Sequence, residues 1–368
     1  MDLEHISNTL VVWFSQHKRD LPWRRTYDPY HVWISEIMLQ QTQMDRVVGY
    51  FTNWMELFPT IGSVAAAQQT TILKAWEGLG YYTRARNIHK TAAIIMKRHG
   101  GQLPSTREQL LALPGIGPYT AAAILSIAFG QSIPVIDANV ERVLARLFDI
   151  DTPIKLKPAR TRLEQLMEGL LTCQDPRILN QALMEFGALQ CTPASPDCGG
   201  CPLVSHCRAH RIDAVGERPM SQRRQRTIPI TMACGILYHR DMVYIQQRLD
   251  DDVWGGLWEF PGGRIKKGED PRQAMIREMQ EETGFRIKDI SYFTRVIHHY
   301  TRYKVTLHAF FCSLDQHSTI PTLEAAQDYA WVRPTELSAY AFPAGHRQLI
   351  QARDRWPLAG QHTPVPIQ

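Results

Sequence analysis

No uninterrupted apolar stretch in the 368-residue sequence approaches the length of a membrane-spanning helix. The run AAAILSIAF at 121–129 reads, from its position and flanks, as a buried helix. The opening residues MDLEHISNTLVVWF begin acidic and carry too short an apolar run for a signal peptide, so a cytoplasmic protein without a membrane partner is expected. Charge of one sign is scarce: 41 Lys and Arg against 36 Asp and Glu leave a net +5, which permits a polyanionic partner without establishing one. Cysteine is sparse and odd in number at seven, which excludes a disulfide framework in a reducing compartment.

What is present is length and clustering. The chain is too long for one ordinary hydrophobic core, so two domains are expected. Its 44% hydrophobic and 21% charged content is that of a soluble globular protein. Arginines gather in KRDLPWRR at 18–25, RAR at 84–86 and RRQR at 223–226. Residues 1–190 carry helical periodicity: the stretch 31–58 repeats apolar residues every three or four positions and ends at Pro59. Ser105 and Glu108 have capping-box spacing, and Pro118 suits the first turn of the next helix. Residues 208–227 are polar, basic and aperiodic, and read as a linker. From 228 to 368 the pattern changes to strands such as ITMACGILYH, MVYIQQR and YKVTLHAFFCSL. Among them lies one helix, with Asp270 as cap and Gly284 as stop.

Within 105–130 the segment LPGIGPYTAAAIL reads as a hairpin between helices. Gly115 and Gly117 allow a tight turn, and the N–H groups opening the next helix favour a phosphate; an ordinary helix-helix turn would look the same. Asp137, in VIDANVERVL, is a good helix cap, and capping alone would justify it. Glu36 is harder to dismiss. It stands among apolar residues in VWISEIML, where burial would raise its pKa toward that of a general acid, although exposure on a half-buried helix remains open.

Together LPWR, VWISEIMLQQTQ, GLGYYTRARNIHK, LPGIGPYTAAAIL, VIDANVERVLAR and a cysteine group at 191–207 resemble the adenine DNA glycosylases of the MutY type. The resemblance implies an N-terminal all-α helix-hairpin-helix glycosylase with a 4Fe–4S loop, joined to a C-terminal α+β Nudix-like domain. It implies a nucleoid-associated monomer that removes adenine opposite 8-oxoguanine or guanine in double-stranded DNA. Glu36 would protonate the base and direct water, Asp137 would stabilise the sugar cation, and Tyr119 and Asn139 would flank them. Gln41 and Tyr81 would enter the duplex at the lesion, from which the target base is extruded. Related lyases carry lysine where this chain has Tyr119; without that amine no imine forms, so a monofunctional enzyme using water is expected. In the segment HHYTRYKV, Thr301 falls where a serine hydroxyl commonly meets 8-oxoguanine, and Arg302 replaces a common histidine.

Cys191, Cys198, Cys201 and Cys207 follow C-x6-C-x2-C-x5-C, and four thiolates in so short a loop could hold zinc or an iron–sulfur cluster. The resemblance selects 4Fe–4S. Gly263, Glu269 and REMQEETGF at 277–285 complete a Nudix box. Its Glu278, Glu281 and Glu282 share one helix face suited to Mg²⁺ on a nucleotide diphosphate. The alternative function is therefore a nucleotide pyrophosphatase in the C-terminal domain.

Overall fold

The computed structural model describes residues 2–220, 227–300, 302–316 and 318–356. They divide into two compact units, one within Met1–Ala66 and Asn87–Arg224, the other within Ala67–Arg86 and Gln225–Gln368. No helix among the described residues is long and apolar enough to cross a membrane.

The first unit is helical. The helices Leu3–His17, Ala138–Leu147, Lys157–Leu171 and Pro176–Leu189 enclose one core, in which Ile6, Leu10, Leu144, Leu163, Met167, Leu179 and Leu183 are buried. Their three- and four-residue spacing gives each helix one apolar stripe. The stretch 31–58 departs from the single helix its periodicity suggests. It forms Pro29–Leu39 and Met44–Leu57, because Gln40 leaves helical geometry and Gln41 takes a left-handed φ of 57°. The cap before Arg107–Leu111 is Thr106, whose side chain accepts from the Gln109 N–H, and not Ser105. The buried run after Gly117 is an α-helix, Pro118–Ala123, continued as a π-turn at Ile124–Ala128. Of the segment 208–227, residues 208–220 pack on this unit: Arg218 Nε donates to Asp149 at 2.8 Å, and Arg146 donates to the Val215 and Arg218 carbonyls.

The second unit is a mixed sheet with helices on both faces. Its strands are β1 Ile228–His239, β2 Met242–Arg248, β3 Trp258–Glu259, β4 Gly262–Arg264, β5 Ile287–Tyr300, β6 Tyr303–Leu314 and β7 Ala326–Val332. Their order is β3-β2-β1-β6-β5, with β4 on β1 and β7 on β2; β1 and β6 are parallel and the other pairs antiparallel. Strand alternation separates two cores. Ala233 and Leu237 meet Ala274, Met275 and Met279 of the helix Pro271–Thr283, whereas Cys234 and Ile236 share a core with Leu349 and Ile350 of the helix Ala344–Gln351. Gly235 leaves room for the first contact, since a Cβ there would lie 2.7 Å from Met279 Cε and that methionine would have to shift.

Candidate active site

In the first unit, one cavity of about 580 Å³ brings together Glu36, Gln41, Tyr119, Asp137 and Asn139. Each reaches it for a local reason. Pro29–Leu39 is buried on almost every side, so Glu36 is only 5% exposed although its neighbours are apolar. Tyr119 enters from the first turn of Pro118–Ala123 and donates its hydroxyl to Glu36 Oε2 at 2.9 Å. Asp137 caps Ala138–Leu147, with Oδ1 accepting from Val140 N at 2.7 Å and Oδ2 from Asn139 Nδ2 at 2.8 Å. Asn139 is fixed in turn by Arg142 Nη2, 2.8 Å from its Oδ1. Gly187 lets the neighbouring helix close on it, since a Cβ there would lie 2.6 Å from Asn139 Cβ.

Burial acts on both acids. Burial pushes the Glu36 carboxyl up to about 7; the Tyr119 hydrogen bond opposes this and the Asp137 charge adds to it. Burial also raises Asp137, against the Val140 and Asn139 donors that stabilise its anion. The cavity thus holds two carboxyls raised by burial, Glu36 near half-protonation at neutral pH and Asp137 accepting two N–H donors that favour its anion, the kind of pair that serves hydrolysis of a glycosidic bond.

Residues that the sequence reading passed over line the same space. Arg19 and Arg24 clamp Glu185, with contacts of 2.8 Å and 2.9 Å to its Oε2. Burial would raise that carboxyl, but the two arginines hold it near 2. Glu185 sits among apolar neighbours in ALMEFGAL, the pattern that singled out Glu36, so a signal was available.

Gly115 takes φ 79° and needs to be glycine, because a Cβ would lie 2.7 Å from Asn87 Cβ; Gly117 is the extended residue before Pro118. Tyr81 belongs to the second unit, where it adopts a left-handed φ of 49°. Thr301 lies outside the described residues.

Cys191, Cys198, Cys201 and Cys207 line one small cavity with Arg146, whose Nη1 is 3.4 Å from Cys191 Sγ. Burial raises Cys198, Cys201 and Cys207, with Cys201 reaching about 11, and charge on the neighbouring thiols adds to each rise. Four such thiols become thiolates most readily around a cationic centre, and this donor set fits an iron–sulfur cluster. Among the described residues, no three His, Cys, Asp or Glu side chains are grouped to hold a single metal ion.

The Nudix acids are already engaged. Arg277 bonds Glu269, Glu278 and Glu281, each at 2.8 Å, and Glu282 Oε2 accepts from Gly262 N at 3.0 Å and Gln246 Nε2 at 2.9 Å. Burial, with the Glu259 charge, raises Glu282 to about 8. A Cβ on Gly263 would strike the Glu278 carboxyl at 2.4 Å, so glycine admits that side chain against the backbone. Mg²⁺ would compete with Arg277 for this set. As they stand, paired with Arg277, the residues do not fit the ion.

Residues 34–169 match the model of the HhH-GPD superfamily of base excision DNA repair proteins, and residues 232–352 match the NUDIX domain. The adenine DNA glycosylase of Homo sapiens is 32% identical over 86% of this chain and 68% of its own length. That of Buchnera aphidicola subsp. Baizongia pistaciae is 36% identical over 69% and 72%. A solved thermostable thymine-DNA glycosylase superimposes with a TM-score of 0.53 at 29% identity, covering 57% of this chain and 97% of that one.

Proposed function

The chain belongs to the adenine DNA glycosylases of base excision repair, and from that premise we propose that it is a monofunctional enzyme that hydrolyses the N-glycosidic bond of adenine opposite 8-oxoguanine or guanine. The observation that carries this reading is the shared cavity in which Tyr119 bonds a Glu36 raised to about 7 beside Asp137.

Protonated Glu36 delivers its proton to the adenine ring as the C1′–N bond breaks and the bonding pair leaves with the base. The Asp137 carboxylate, oriented by Val140 N and Asn139, lies against the oxocarbenium sugar and stabilises it. Water then adds to C1′ and returns a proton to the Glu36 carboxylate, so adenine and an abasic site form and Glu36 is restored. Tyr119 donates to that carboxylate while it is an anion. It offers no amine, so the sugar is not captured as an imine and the strand is not cleaved.

Gln41 and Tyr81, both in left-handed conformations that side chains rarely adopt, are read as the residues that enter the duplex. Gly115 and Gly117 would bring backbone N–H groups to a phosphate. The four cysteines would hold a 4Fe–4S cluster whose chemistry here is binding and support of its loop. Reading of 8-oxoguanine by Thr301 rests on the family resemblance.

The test mixes excess protein with duplexes carrying adenine opposite 8-oxoguanine, guanine or cytosine and follows strand cleavage with and without alkali. Cleavage only after alkali, fastest opposite 8-oxoguanine, is expected. Cleavage without alkali would overturn the monofunctional assignment, and equal rates opposite cytosine would overturn the specificity.

A further inference from the structure

Residues 67–86 fall in the first half of the sequence yet pack in the second unit, and two groups of contacts flank Tyr81. On the N-terminal side is Glu77. Its Oε1 accepts from Phe342 N at 3.0 Å, from Arg347 Nε at 2.6 Å and from Arg347 Nη2. Its Oε2 takes Lys74 Nζ at 2.6 Å. Lys74 Nζ and Arg347 Nη2 also donate to the Tyr340 carbonyl, at 3.2 Å and 2.6 Å, and the Arg347 guanidinium lies over the Phe342 ring. The Glu77 and Arg347 side chains are only 13% and 17% exposed, so the pair is poorly screened, and removing one partner strands a charge.

On the C-terminal side is Tyr82. Its buried hydroxyl donates to the Phe342 carbonyl at 3.1 Å and accepts from Gly78 N at 3.3 Å. The span from Glu77 to Tyr82 is therefore pinned at both ends to 340–347. Within it Gly78 and Gly80 have φ of 98° and 71°, and Tyr81 has φ 49°. Glycine adopts such backbone freely, but tyrosine does so only where its surroundings over-determine it. Internal contacts contribute as well: Trp76 Nε1 donates to the Gly80 carbonyl at 3.1 Å, and Arg84 lies over both the Trp76 and Tyr81 rings.

We infer that Arg347 is a positioning residue for Tyr81: through Glu77, with Tyr82 and Phe342 completing the clasp, the helix Ala344–Gln351 of the Nudix-like unit holds the DNA-entering tyrosine in its left-handed conformation. The inference rests on the reading of Tyr81 as a DNA-entering residue. It gives that unit a part in opening the duplex, distinct from reading the base opposite adenine. Arg347 itself need not touch DNA.

The test uses the full chain and a duplex with 2-aminopurine beside 8-oxoguanine, whose fluorescence rises when the step is unstacked. The rise at saturating protein is compared for the native chain, Tyr81→Ala, Arg347→Ala, Arg347→Lys, Tyr82→Phe and the double variant Tyr81→Ala/Arg347→Ala. Expected is a rise at least halved by Arg347→Ala, partly restored by Arg347→Lys, and no smaller in the double variant than in Tyr81→Ala alone. A merely stabilising arginine would lower the melting temperature and leave the saturated signal unchanged. Should Arg347→Ala melt below the assay temperature, Tyr82→Phe, which removes one hydroxyl, carries the same test. A native rise in both Arg347→Ala and Tyr82→Phe while Tyr81→Ala loses it overturns the inference alone. A native rise in Tyr81→Ala overturns the reading of Tyr81 and the inference with it.

Discussion

The Tyr119 hydroxyl donates to Glu36 Oε2 at 2.9 Å inside the cavity that Asp137 also lines. This bond favours the carboxylate, the state Glu36 reaches after protonating the base, and it opposes the upward pull of burial. Tyr119→Phe removes the donor and leaves the ring. The high-pH limb of single-turnover adenine release is expected to move to higher pH, and the maximal rate to fall roughly ten- to a hundredfold, the worth of one hydrogen bond to a charged group. A slower enzyme with an unmoved limb would mean that Tyr119 acts without Glu36.

Glu36 also makes stability depend on pH. Its folded pKa of about 7 lies above the ordinary 4.5, so between these values the folded chain binds a proton that the unfolded chain has lost. That contribution is complete below pH 4.5 and disappears as pH rises through 7. Glu36→Gln does not titrate and should gain stability relative to the native chain across this window, by about 3 kcal/mol from the size of the shift. Denaturant melts at pH 4.5, 6 and 8 measure the difference; a constant difference would show that Glu36 is not proton-linked to folding. The same variant should release no adenine.

Asp137 is both helix cap and candidate cation stabiliser, and the two roles separate by chemistry. Asparagine caps about as well as aspartate but would face Asn139 Nδ2 with a second donor, so Asp137→Asn should keep Ala138–Leu147 and lower the melting temperature by about a few degrees. It lacks the charge, and adenine release should drop by roughly a thousandfold. A variant that melts normally and excises normally would leave Asp137 a cap alone.

The difference between what the sequence disclosed and what it hid has a physical origin. Helix caps and stops are local, so Asp137, Asp270 and Gly284 stand where their residue types suggest. Branched and aromatic content is local as well, and it marked ITMACGILYH as a strand in advance. The break at Gln40–Gln43 was masked because apolar spacing continues across it, and only a left-handed Gln41 shows the turn. Glu36 stood out by its apolar company. Its link to Tyr119 spans 83 residues, and Glu185's to Arg19 spans 166, so no local pattern could supply them. The attachment of residues 67–86 to the second unit is equally non-local: Glu77 and Arg347 are 270 positions apart.

The cysteine cavity makes a compositional prediction. The intact chain purified under exclusion of air should contain about four irons and no stoichiometric zinc. Cys198→Ser should lose iron and, because the loop packs against Arg146 and Arg142, lower the melting temperature. Stoichiometric zinc without iron would replace the cluster assignment with a tetrathiolate zinc site.

The Nudix box, complete in sequence, is expected to be silent as a hydrolase. Arg277 already satisfies Glu269, Glu278 and Glu281, and Glu282, raised to about 8, bonds Gly262 N and Gln246. A divalent ion would compete with Arg277 for these carboxylates and would have to take the proton that burial favours on Glu282. Hydrolysis of 8-oxo-dGTP with Mg²⁺ should therefore not exceed that of a Glu281→Gln control, and Mg²⁺ should leave the melting temperature where it was, since only a ligand that binds the folded state raises it. Arg277→Ala should destabilise this unit by freeing the loop between Gly263 and Glu269 from the helix. A magnesium-dependent rate lost in Glu281→Gln would instead mean that the arginine yields to the metal, and the box would then be an active centre rather than a clasp.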